Sequence, residues 1–76
     1  MKVFVDQREY YYFVRAGIGS ENFKVFYTKS FEDFKNNNRM HGVRSPMTPW
    51  RSTYEEAEKD LLDYAAKKKM IEVKEK

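Results

Sequence analysis

Two aromatic-rich runs on either side of a glycine-bearing turn constrain this chain more than any other feature. Residues 10–16 read Tyr-Tyr-Tyr-Phe-Val-Arg-Ala, and residues 23–28 read Phe-Lys-Val-Phe-Tyr-Thr. Aromatic and β-branched side chains suit a pleated surface, and alternation sends successive residues to opposite faces. Tyr10, Tyr12 and Val14 therefore share one side, and Tyr11, Phe13 and Arg15 the other. Between the runs lies Gly17-Ile18-Gly19-Ser20-Glu21-Asn22, where Gly and Asn tolerate positive φ. Strand, turn and strand in this order form an antiparallel hairpin.

The second constraint is a helix near the C-terminal end. Ser52-Thr53-Tyr54-Glu55-Glu56 contains two overlapping capping boxes, Ser52 with Glu55 and Thr53 with Glu56. Tyr54, Ala57, Leu61, Tyr64 and Ala65 then recur at helical spacing. Acids crowd the early turns and Lys67, Lys68 and Lys69 close the last one, the order that the helix dipole favours. The spacing predicts a helix over 53–69.

The remaining segments are less determined. Residues 2–5 suit a short strand, and 6–9 either turn or continue it. Ser30-Phe31-Glu32-Asp33-Phe34-Lys35 either caps one helical turn or extends the preceding strand. Asn36-Asn37-Asn38 marks a loop. Gly42 and Pro46 bracket a short strand over 43–45, which Pro46 and Pro49 confine to an edge. Residues 70–73 form a last short strand or a packed tail. The expected class is α+β: a three- to four-stranded antiparallel sheet with one C-terminal amphipathic helix packed on one face.

The 76 residues suffice for one domain, 1–76, with a thin core. Six Phe, six Tyr and one Trp supply the bulk that this core needs. Cysteine is absent, which removes disulfides and thiolate metal sites and fits a reducing cytoplasm. The N-terminus meets charge too early for a signal peptide, and no apolar run approaches the roughly 20 residues of a membrane span. A soluble cytoplasmic protein without membrane attachment is expected.

Enzyme signatures are missing. Gly17-x-Gly19 lacks the third glycine of a nucleotide-binding fingerprint, since position 22 is Asn, and a hairpin turn accounts for both glycines. His41 is the only histidine, so the usual nitrogen and sulfur metal cluster is out of reach. Glu55, Glu56, Asp60 and Asp63 read as the solvated face of a helix, with Lys59 one turn from Glu55 and Asp63. No catalytic residue, metal ligand or small-molecule cofactor is expected.

Charge is distributed unevenly. Residues 1–53 hold nine Lys/Arg against five Asp/Glu, a net of +4, and residues 54–76 hold six against seven, a net of −1. The longest acid-free stretch, 34–54, carries Lys35, Arg39, Arg44 and Arg51, together with His41 and Trp50. Cations without nearby acids can follow a phosphate backbone, and Trp50 beside Arg51 offers a ring for stacking. Arg15 and Lys24 add charge to an aromatic sheet face, an arrangement able to stack single-stranded nucleic acid. The same aromatic face suits a protein interface or a homodimer. The competing readings are a polar loop whose Trp50 packs over the helix start, and sheet tyrosines that lie half-buried with their hydroxyls in water.

Phe23-Lys24-Val25-Phe26-Tyr27, followed later by Thr53-Tyr54-Glu55-Glu56-Ala57-Glu58, resembles the small arm-type DNA-binding domain of tyrosine-family integrases from mobile elements. The order of strands then helix is also similar to the double-stranded-RNA-binding-like fold. That fold, however, has an N-terminal helix and a basic helix start, and this helix starts acidic. The integrase resemblance covers most of the chain as a pattern, with segment 29–50 longer than the family's compact form. It implies a sheet face that enters the DNA major groove, with Arg15, Lys24 and Arg44 in contact. Two function classes are thus expected. One is a non-catalytic nucleic-acid-binding module using Arg15, Lys24, Lys35, Arg39, His41, Arg44, Trp50 and Arg51. The other is a protein-interaction domain, such as a self-associating small regulator or inhibitor of mobile-element origin.

Overall fold

The computed structural model describes residues 1–74. Its elements run β1 (Phe4–Val5), β2 (Tyr11–Ala16), β3 (Phe23–Thr28), α1 (Phe31–Lys35), β4 (His41–Gly42), α2 (Tyr54–Lys67) and β5 (Ile71–Glu72). The α+β class holds, with five antiparallel strands in the order β4-β3-β2-β1-β5.

The hairpin forms as the alternation requires, with Tyr12 opposite Tyr27, Phe13 opposite Phe26 and Arg15 opposite Lys24. Gly17 N–H donates to the Asn22 carbonyl (2.7 Å), and Gly19 turns the chain at φ 83°. Residues 6–9 make a turn. Asp6 Oδ1 accepts from the backbone N–H groups of Arg8 (2.9 Å) and Tyr10 (3.0 Å), and Glu9 takes φ 65°. The segment after β3 is a short helix, with Ser30 Oγ capping Asp33 N–H (3.0 Å). The short strand expected over 43–45 lies earlier, at His41–Gly42, where His41 pairs with Tyr27 and Gly42 with Phe26. Residues 70–73 do add a strand: β5 pairs with β1.

Helix α2 starts from Thr53, whose Oγ1 accepts from Glu56 N–H (3.2 Å). Only one of the two capping boxes has its register. Ser52 instead donates to Glu56 Oε1 (3.2 Å), beside the Thr53 hydroxyl (3.0 Å). The buried face of α2, Ala57, Leu61 and Ala65, meets Phe4, Tyr12, Val14, Val25 and Val43 to form the main core.

The opposite sheet face is covered as well. Phe34 packs on Phe13 (ring centroids 5.0 Å) and Phe31 on Tyr11 (5.3 Å), so α1 supplies a second, smaller layer. Phe13 is only 1% exposed as a result. The aromatic face expected to stay open beside Arg15 and Lys24 is thus largely occupied from within the chain.

Segment 43–51 runs along the outer side of β3. Val43 N–H donates to the Val25 carbonyl (3.0 Å), and Phe23 and Arg51 exchange both backbone hydrogen bonds at 2.7 Å. Thr48 is fully buried, with its hydroxyl donating to the Val43 carbonyl (3.2 Å) and its own carbonyl accepting from Lys24 Nζ.

The β1–β2 turn carries a pH dependence. Burial alone would raise the Asp6 carboxyl, but donors from Tyr10, the Tyr12 phenol and Arg8 outweigh it and hold the group below its ordinary 3.8. A folded-state pKa below the unfolded one contributes stability above the unfolded value and loses it as pH falls. Urea midpoints of the wild type should therefore fall between about pH 4 and pH 2 more steeply than those of Asp6→Asn. The variant should also start lower at neutral pH. Parallel pH profiles for the two proteins would show that this carboxylate does not couple to folding.

Candidate nucleic-acid interface

The sequence-selected residues do not gather in one place. Arg51 is committed to an ion pair at the surface: its Nε and Nη2 donate to the two oxygens of the buried Asp60 at 2.7 and 3.1 Å. Lys24 is committed too, through Thr48, and burial lowers its pKa against the partial offset of the Asp60 charge. Arg15 lies on the α1 face and donates to Asn37 Oδ1 (2.9 Å). Trp50 stands on that same face, edge-on to Phe26 (5.9 Å). A Cβ on Gly17 would lie 2.8 Å from the Trp50 ring, so the turn presses directly against the indole. Lys35 closes α1 near Phe31 (6.0 Å), and Arg39 is exposed in the following loop at φ 51°. The face that bears Arg15 and Lys24 is also the one that carries α1.

His41 and Arg44 belong to a different assembly, on the α2 side. There a groove of about 740 Å³ is lined by Arg8, Tyr10, Tyr12, Tyr27, Met40, His41, Gly42, Val43, Arg44 and Tyr64. Four of its walls are tyrosines from β2, its leading residue, β3 and α2. The rings of Tyr10 and Tyr27 are nearly parallel (centroids 5.8 Å, 8°), Tyr12 lies 5.6 Å from Tyr27, and His41 adjoins Tyr27 at 5.3 Å. Tyr64 closes the helix side, 5.9 Å from Tyr12. This volume falls within the roughly 300–1,000 Å³ of ligand sites.

The electrostatics of the groove are one-sided. Its lining holds Arg8 and Arg44 and no acid. The Arg8 guanidinium sits 4.3 Å from the Tyr10 ring centre and also reaches Asp6 (3.3 Å) and the Tyr12 hydroxyl (3.4 Å). The Tyr12 phenol donates to Asp6 Oδ2 (2.9 Å), and burial, reinforced by Asp6, pushes its pKa up. It therefore stays a hydrogen-bond donor and does not become a phenolate near neutral pH. A second hollow of about 400 Å³ shares Arg44 and Tyr64 with the groove, adds Lys67 and Lys68, and again has no acidic lining.

No family model, curated protein or solved structure matches this chain.

The site combines residues that local reasoning did not connect. Tyr10, Tyr12 and Tyr27 were recognisable as one face from alternation, because Tyr12 and Tyr27 oppose each other in the hairpin. Arg8 lies in the β1–β2 turn, and Lys67 and Lys68 close α2, where the helix dipole by itself favours cations. Among the described residues, no group of three or more His, Asp or Glu side chains is placed to hold a metal ion. Nor is any helix there long and apolar enough to cross a membrane.

Proposed function

We propose that this chain is a non-catalytic nucleic-acid-binding module that works through the tyrosine groove on the α2 side of the sheet. One observation carries the reading: aromatic rings converge with Arg8, Arg44, Lys67 and Lys68 on one concave surface, beside which Asp6 is already bound by Arg8 and the Tyr12 phenol. Aromatic side chains give base contacts that tolerate any sequence, and Arg and Lys neutralise phosphates. His41 and Arg44 keep the roles assigned from sequence, Arg8, Lys67 and Lys68 join them, and Arg51 and Lys24 serve the scaffold. The resemblance to integrase arm-type domains supports nucleic acid as the ligand, and the absence of cysteine supports a cytoplasmic setting.

The test is fluorescence anisotropy with a labelled mixed-sequence oligonucleotide, in low salt and then with added salt. Saturable binding that weakens steadily with salt is the expected result, because phosphate contacts release counterions. Absence of binding at low salt, or affinity indifferent to salt, would refute the proposal.

A second reading, self-association, rests on the other face. Ile18 is fully exposed and Trp50 half-exposed beside a mostly apolar hollow with Phe26 and Met40. Sedimentation analysis that finds only monomer at every concentration would remove it.

A further inference from the structure

We infer that the groove takes single-stranded nucleic acid, with phosphates tracking over Arg8, Lys68, Lys67 and Arg44 around the C-terminal end of α2. The inference rests on the nucleic-acid reading above and decides which form of the polymer fits it.

The rings are recessed. Tyr12 is 4% exposed, and Tyr10, Tyr27 and Tyr64 are partly buried between sheet and helix. A base reaches them only after leaving its own stack and turning into the groove. A paired base is held inside its duplex, and extracting one costs pairing and stacking free energy. Duplex readers, by contrast, project an element outward into a groove of the nucleic acid. Here the exposed first turn of α2 carries Glu55 and Glu56 and repels phosphate, and the Arg15 and Lys24 sheet face lies under α1.

The cations mark a continuous path. Arg8 lines the tyrosine groove and also a shallow hollow that it shares with Lys68. Lys68 in turn lines the hollow of Arg44 and Lys67, and Arg44 returns to the groove. Tyr64 forms the ridge between groove and second hollow, with Lys68 Nζ 5.8 Å from its ring. A strand draped over this ridge places one base in the groove and a neighbour in the second hollow, while its phosphates pass the lysines. Among the described residues Asp6 is the one acid on the path, and its carboxylate is already held by Tyr12 and Arg8.

Four phosphate contacts set a quantitative expectation. For single strands the slope of log K against log salt is about −0.7 per contact, hence about −2.8 for four. A fourfold rise in salt should then weaken binding about 50-fold.

The experiment compares labelled eight-nucleotide DNA and RNA single strands with a duplex of the same sequence by anisotropy at several salt concentrations. Single strands should bind at least about tenfold tighter than duplex at equal salt. Arg44→Gln and Lys68→Gln, both at exposed positions, should each reduce the slope by about 0.7. Lys59→Gln, which removes the same charge outside the path, should leave it unchanged. Tyr10→Leu should weaken single-strand binding about fivefold to 150-fold. Duplex binding equal to or tighter than single-strand binding would overturn the inference and leave nucleic-acid binding standing. So would slopes insensitive to Arg44 and Lys68. Loss of binding by every probe at low salt would overturn both. Equal affinity for DNA and RNA supports recognition through phosphate and base, and a preference for RNA adds contacts to the 2′-hydroxyl.

Discussion

Replacing Phe13 with Ala is expected to remove about 3–5 kcal/mol of folding stability. The side chain is 1% exposed, sealed between the sheet and Phe34 of α1. Truncation leaves a cavity that a five-residue helix cannot collapse to fill without pulling Phe31 off Tyr11. Typical stability for this length is about 4–11 kcal/mol, so one substitution takes a large share of it. Urea unfolding followed by far-ultraviolet circular dichroism measures the loss. A change below about 1 kcal/mol would mean that α1 does not seal this face.

Leu61→Ala should cost about 2–5 kcal/mol by the same reasoning on the other side of the sheet. Leu61 is wholly buried among the residues that join α2 to β2 and β3. Its neighbour Leu62 provides an internal control, because it lies at the surface and is 39% exposed. Leu62→Ala should shift stability by no more than about 0.5 kcal/mol. If the two leucines proved equivalent, the helix would have to be rotated on the sheet, and Tyr64 would leave the groove with it.

The features legible in the sequence are those specified by near neighbours. Alternation fixed the faces of Tyr10, Tyr12 and Val14, and the Gly17–Asn22 segment fixed the hairpin. Thr53 and Glu56 located the start of α2 because a cap is a contact across three residues. What escaped depended on distant partners. Ser30 permitted helix or strand, and Phe13, far along the chain, decides for helix by offering Phe34 somewhere to pack. The fourth strand lies at His41–Gly42 because that register sets His41 against Tyr27, a pairing that no local pattern announces.

The candidate site was legible in parts for the same reason. An acid-free stretch of sequence is not an acid-free surface: Asp60, a helix turn and more beyond Arg51, folds back to neutralise it. Arg44 and His41 kept their freedom and met cations from both ends of the chain. The segment 34–54 thus divides its cations between scaffold and surface, and only the tertiary structure performs that division.

The two outermost strands carry one more implication. β4 and β5 are two residues long, and beyond β4 the flank of β3 is taken up by Val43 and Arg51. Among the described residues an incoming strand therefore finds no extended row of free amide groups to copy. In a chain with six tyrosines and six phenylalanines, such short rims leave a second copy little edge on which to stack.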